Sequence, residues 1–170
     1  YSPQECTPST LPTPDSNAKR CYPQKWTPPN VVTANPETHW FHKYVVTDVT
    51  DSDPTGLGDP VTTYYTHSGG GAWAYNNDKL VDDKYRTWSI WRGYTTVTTI
   101  SGDPSLTDAR NKTVATYFRG MDGDKQSGTS APPRVEKVTD STGTQVDDSR
   151  WLAGFTREMI TYTEAGGTEH

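Results

Sequence analysis

The sequence is poor in apolar residues and has no long hydrophobic run. Only 31% of its 170 residues are hydrophobic, and the mean hydropathy is −0.86. No run approaches the length of a membrane span or of the apolar part of a signal peptide. We therefore predict no membrane partner, and we expect that any export signal has been removed or lies upstream.

Clustered positive charge is also missing. The 16 lysines and arginines are outnumbered by 21 aspartates and glutamates, which gives a net charge of −5. Protein–nucleic acid association depends largely on basic side chains that neutralise phosphates. The composition therefore predicts no nucleic acid partner.

Large rings are abundant in this otherwise polar chain. It has 6 Trp, 10 Tyr and 3 Phe, and each ring can bury about 150–250 Å². Disordered chains usually lack such residues. The sequence therefore predicts a folded protein whose core consists of rings together with Val and Thr.

The first 36 residues contain most of the 13 prolines and only two cysteines, Cys6 and Cys21. Proline favours an extended chain here over either a strand or a helix. A Cys6–Cys21 disulfide would close this segment and stabilise the fold by about 3 kcal/mol. Two unrelated thiols are the alternative. The disulfide favours a secreted or cell-surface protein.

The rest of the chain is typical of antiparallel β-structure. Alternation and β-branched residues predict that Trp40–Asp51 and Val61–His67 form a hairpin, with a break at the glycine run that follows. Tyr85–Ile100 has the strongest strand pattern, and Gly93 within it suggests a bulge. Asn77–Lys84 is predicted to hold one or two helical turns.

The strand pattern continues to the end of the sequence. We predict a strand at Thr116–Arg119, an exposed loop at Gly120–Gly128, and a polar turn at 101–112. The segment 150–164 could form an amphipathic helix, but its Gly, Thr and Tyr favour a strand. The fold class predicted is all-β, with antiparallel sheets arranged as sandwich- or shell-like hairpins. A proline-rich lead at 1–36 precedes a β domain at 37–170.

Two acidic loops are candidate calcium sites, because calcium binds closely spaced carboxylates. The candidate ligands are Asp51, Asp53 and Asp59 in one loop, and Asp122 and Asp124 in the other. Neither loop has the complete EF-hand pattern, and Asp and Gly are also ordinary turn residues. The turn interpretation is therefore favoured, and calcium is the one cofactor left open.

A cluster of rings is the other candidate site. Stacked and exposed, these rings could bind carbohydrate or cell-wall glycan; buried, they would form the core. Core is the favoured interpretation. The residues are Trp73, Tyr75, Trp88, Trp91 and Tyr94.

No motif indicates an enzyme. The sequence has no G-x-S-x-G motif, and its cysteines have no helix to activate them. Acidic residues are numerous enough that a catalytic pair cannot be selected from sequence. We predict a non-catalytic protein.

Three stretches resemble the segment that leads into the repeat array of secreted Rhs/YD-repeat proteins of actinobacteria. They are KYRTWSIWRGYTTVTTISGD, TVATYFRGMDGDKQSG and WLAGFTREMITYTEAGG; CYPQKWTPP and HWFHKYVVTDVT resemble it more weakly. Proteins of this family wind β-hairpins into a hollow shell, which in many members encloses a toxin.

The resemblance implies a structural β module, toxin-associated and secreted. Its partners would be the remainder of the parent protein or neighbouring β repeats. The Tyr-Asp dipeptide that names the repeat does not occur in this chain. No catalytic residue of the family can be placed on a matching position.

Overall fold

A computed structural model describes residues 1–29, 35–102, 110–162 and 164. The predicted all-β antiparallel class is confirmed. A five-stranded sheet has the order β3-β4-β5-β6-β9, and β1-β2 and β7-β8 form two smaller sheets. The strands are β1 Cys21–Trp26, β2 Glu37–His42, β3 Asp48–Asp51, β4 Val61–Tyr75, β5 Trp88–Ser101, β6 Asn111–Tyr117, β7 Lys137–Thr139, β8 Gln145–Asp147 and β9 Thr156–Tyr162.

The long hairpin of β4 and β5 is the centre of the main sheet. Its connection contains a single 3-10 turn at Asp83–Tyr85, where the Asp82 carboxylate accepts a hydrogen bond from Lys84 N at 3.2 Å. A short helical turn with an acidic cap is therefore present, but it lies at the end of the predicted segment Asn77–Lys84 and extends one residue beyond it. The predicted break after His67 is wrong: β4 continues through the glycines, and the pairing only shifts by one residue between Ser68 and Gly71.

The predicted strand Trp40–Asp51 is divided between two sheets. Its first part belongs to β2, which pairs with β1 from Cys21↔His42 to Trp26↔Glu37. Its last part is β3, which pairs with β4. The lead was expected to contain no strand, and β1 corrects that expectation. The sequence of β1 is poor in Val and Leu and so gives no strand pattern, but pairing with β2 stabilises the strand.

The lead packs directly on the central strands. The predicted Cys6–Cys21 disulfide is present, and both cysteines are buried. Ala18 O accepts a hydrogen bond from Gly71 N at 2.8 Å. A Cβ on Gly71 would lie only 2.8 Å from the Trp91 ring and 3.2 Å from Ala18 O. Glycine is therefore required at this point, because lead and sheet approach each other through it.

The segment after β6 is more buried than predicted. The strand ends at Tyr117, and Phe118, Gly120 and Met121 are buried. Met121 packs against the small side chains of Ala72 and Ala74. The expectation of an exposed loop from Gly120 onward is therefore wrong for its first residues.

The last strand is confirmed in place of a helix. A 3-10 turn at Arg150–Leu152 leads into β9, which pairs with β6. The predicted polar turn at 101–112 lies largely outside the described residues, as do 163 and 165–170.

Candidate functional site

A cavity of about 440 Å³ lies beside the hairpin of β4 and β5, where the loop after β6 crosses it. Tyr75 from the end of β4 and Arg92 from β5 form one wall. Asp124 and Gln126 of the loop form another, and Arg150 completes the lining. Ligand cavities in proteins usually enclose about 300–1,000 Å³. The volume therefore suits a small molecule.

A β-bulge directs Arg92 to this cavity. Ala72 pairs with Gly93 and Trp73 pairs with Trp91, so Arg92 is an extra residue on β5. Gly93 has a φ of 80°, a conformation that favours glycine. Bulges commonly redirect a side chain at the edge of a site. The bulge predicted at Gly93 is confirmed.

Arg92 is a cation with few compensating contacts. Its Nε is buried and has no hydrogen-bond partner among the described residues. Burial lowers the pKa of the Arg92 guanidinium, and the charge of Arg150 adds to this effect. The charges of Asp124 and Asp148 act in the opposite direction. Because Nε is shielded, an anion in the cavity would be bound by the terminal Nη1 and Nη2 groups of Arg92.

Asp124 lies on the opposite wall and is used by the backbone. Both of its carboxylate oxygens lie 3.2 Å from Tyr75 N, which donates to them. Burial raises the pKa of Asp124, and the hydrogen bonds from Tyr75 and Lys125 and the charges of Arg134 and Arg92 offset part of that increase. The carboxylate thus joins the loop to the end of β4.

Asp148 fixes the loop from beneath. It is fully buried, and its Oδ1 and Oδ2 accept hydrogen bonds from Gly120 N at 2.8 Å and Met121 N at 3.1 Å. Its carbonyl accepts a third from Asp122 N at 3.0 Å. A buried carboxylate with several N–H donors can hold a backbone segment firmly. Asp148 therefore determines where the cavity floor lies.

The rim of the cavity combines a ring with amide side chains. Arg150 Nη2 donates to Asn77 Oδ1 at 2.6 Å. Lys125 Nζ lies 4.4 Å from the centre of the Tyr75 ring, and Trp88 Nε1 donates to Lys125 O at 2.8 Å. These contacts order the rim, and among the described residues the Asn77 side chain bonds only through its Oδ1.

The predicted ring cluster is split between core and cavity. Trp73 is only 2% exposed, stacks on Tyr22 at 4.4 Å and donates from Nε1 to Lys19 O. It is therefore a core residue, and it does not line the cavity beside Arg92. Trp91 packs against both Trp73 and Tyr94. Tyr75 lines the cavity.

The carboxylates predicted for calcium are mostly engaged by the protein. Asp53 accepts hydrogen bonds from Thr55, Leu57 and Gly58, and the Thr55 contacts hold the pKa of Asp53 below its ordinary value. Asp122 Oδ1 accepts from Glu136 N.

The two other carboxylates predicted to bind calcium are Asp51 and Asp59. Asp51 ends β3, and Asp59 is exposed in the loop between β3 and β4. In the ranges that the structure describes, no three His, Cys, Asp or Glu side chains are grouped to hold a metal. Calcium at either loop stays a prediction.

The sequence did not indicate three residues that build the site. These are Arg92, Asp148 and Arg150. The one available signal was Gly93, because a predicted bulge also predicts that its neighbours point in unusual directions. The contacts of Asp148 and Arg150 span 27 to 73 residues, which no local pattern encodes.

Comparison with known proteins gives no relative. No protein-family model, curated protein or solved structure matches the chain. Within the described ranges, no helix has the length and apolar character needed to cross a membrane.

Proposed function

We propose that the chain is a non-catalytic structural β module of a secreted Rhs/YD-repeat-type protein, and that it packs against neighbouring β modules of its parent. The observation that supports this most is an apolar surface beside the terminal strand β9. Trp151 is 90% exposed, Phe155 64% and Met159 63%. We call these three residues the β9 patch. These three residues lie within nine positions of the chain, and large exposed apolar groups that form one patch usually mark an interface.

The backbone next to the patch suits the same role. Among the described strands, β9 pairs only with β6. The free edge of a terminal strand can accept a further strand through main-chain hydrogen bonds. A hairpin of a neighbouring module would extend the sheet and cover the patch together.

The disulfide supports the extracellular part of the proposal. Disulfides persist in oxidising compartments and are rare in the cytosol. Cys6–Cys21 joins the lead to β1, next to Tyr22, which stacks on the buried Trp73.

The alternative, a carbohydrate-binding module, has support at only one place. Trp73 is buried, and Trp91 and Tyr94 pack against other rings. A flat stacking surface made of all five rings is therefore not available. Tyr75 at the cavity is the ring whose position fits ligand binding.

Self-association of the isolated chain tests the packing proposal, since the β9 edge can pair with a second copy. Sedimentation velocity over a concentration series should show association, and Phe155→Ser with Met159→Ser should reduce it. Leu57→Ser is the matched control, because Leu57 is 92% exposed in a loop of another part of the sheet. A chain that stays monomeric throughout, or an equal effect of the control, would refute the proposal.

A further inference from the structure

We infer that the cavity beside Arg92 binds a hexuronate, a sugar whose carboxylate pairs with the Arg92 and Arg150 guanidinium groups. This ligand site goes beyond the packing role proposed above. The first support is position: the Arg92 side chain lines the cavity, and its Nε has no hydrogen-bond partner among the described residues. A half-buried guanidinium gains most from a planar anion that accepts two parallel hydrogen bonds.

The charge of the lining selects a single negative charge. The cavity lining includes Arg92, Lys125 and Arg150 together with Asp122 and Asp124, which leaves one positive charge in excess. A phosphate close to its dianionic form would be repelled by the two carboxylates more than a monoanion would be. The excess is notable because the whole chain carries a net charge of −5.

The remaining lining is suited to hydroxyl groups. Tyr75 offers a ring and a phenol, while Asn77 and Gln126 offer amides, each with one group already bonded to the protein. Sugar hydroxyls both donate and accept, so mixed amide and carboxylate groups can satisfy them. Asp124, on the wall that also holds Gln126, is a further acceptor.

The form of the site favours a sugar over an acidic peptide. An extended peptide is usually recognised along a strand edge or a groove with several side-chain pockets. Here the cations converge on one cavity of about 440 Å³. One hexuronate, free or at the end of an acidic polysaccharide, fits that arrangement.

Isothermal titration calorimetry on the full chain with glucuronate tests this inference. We expect saturable binding that weakens with added salt, and at least tenfold weaker binding of glucuronate methyl ester, glucose 6-phosphate and glutamate. A trisaccharide that ends in glucuronate distinguishes the two sources of the ligand. If it binds more tightly than glucuronate, the ligand is the end of a polysaccharide; if it binds more weakly, the ligand is the free sugar.

Variants of the chain then test whether Arg92 and Arg150 bind the carboxylate of glucuronate. Arg92→Gln should weaken glucuronate binding at least tenfold, with Arg92→Lys intermediate because it keeps the charge but loses the planar fork. Arg150→Gln, at an exposed position, gives the same test if Arg92→Gln misfolds by circular dichroism. Lys137→Gln removes one charge from β7, outside the cavity, and should change affinity less than twofold.

Several results would overturn the inference. They are no binding of glucuronate, equal binding of its methyl ester, and equal or tighter binding of glucose 6-phosphate or glutamate. Unchanged affinity in folded Arg92→Gln and Arg150→Gln would also overturn it. An equal loss in Lys137→Gln would show a general charge effect and overturn the site.

Discussion

Replacing Asp148 by alanine should destabilise the protein far more than the loss of one surface charge would. The substitution leaves Gly120 N and Met121 N without their carboxylate acceptor, in a fully buried place. An unsatisfied buried donor costs about 1–3 kcal/mol, so we expect a loss of about 2–6 kcal/mol in the free energy of unfolding. Domains of this kind have about 5–15 kcal/mol in total.

The assay is urea unfolding followed by circular dichroism. Asp148→Asn keeps one acceptor oxygen and should lose about half as much as Asp148→Ala, because only one donor is left unsatisfied. Asp147→Ala is the control: its carboxylate forms an exposed ion pair with Lys137 at 3.3 Å, and such pairs contribute at most about 1 kcal/mol. A loss in Asp148→Ala below about 1 kcal/mol, or equal to that of Asp147→Ala, would refute the reasoning.

Two further predictions concern stability. Replacing Cys6 and Cys21 by serine removes a loop closure of 15 residues and should lower the free energy of unfolding by about 3 kcal/mol; an unchanged urea midpoint would contradict this. Burial raises the pKa of Asp124 in the folded protein above its ordinary 3.8, so folding favours the protonated carboxyl. The contribution of this group to the free energy of unfolding is therefore complete below pH 3.8 and is lost as the pH rises through the folded pKa. The wild-type chain should therefore gain stability relative to Asp124→Asn between neutral pH and pH 4, as measured by urea titrations at each pH; a constant difference would contradict the assignment.

Local patterns predicted the main sheet because its strands are long and rich in Val, Thr and rings. β5 was expected at Tyr85–Ile100 and lies at Trp88–Ser101. The division of Trp40–Asp51 was not predictable, since it depends on a partner elsewhere in the chain: β1 pairs with β2 residues that are 11 to 21 positions away in sequence. The proline-rich sequence also prevented the prediction of β1. Pro23 lies within this strand, which tolerates proline because it pairs on one side only in its two-stranded sheet.

The candidate site was harder to predict than the sheet. Tyr75 and Asp124 were among the predicted ligand residues, but for different sites, and the fold joins them through a hydrogen bond across 49 residues. Arg92 owes its position to a bulge whose existence Gly93 indicated but whose direction it did not. Sites assembled from side chains on separate elements are fixed by tertiary pairing, which a periodic pattern does not contain.

The close approach at Gly71 also has an evolutionary consequence. The lead and β4 are in contact at positions where a larger side chain has little room. A Cβ on Gly70 would lie 3.1 Å from the Cβ of Ala18, and a Cβ on Gly71 would contact the Trp91 ring. A substitution on one side therefore has no remedy unless the other side changes with it. We therefore expect substitutions in the lead at Ala18 and in the glycine run at Gly70 and Gly71 to be coupled in evolution.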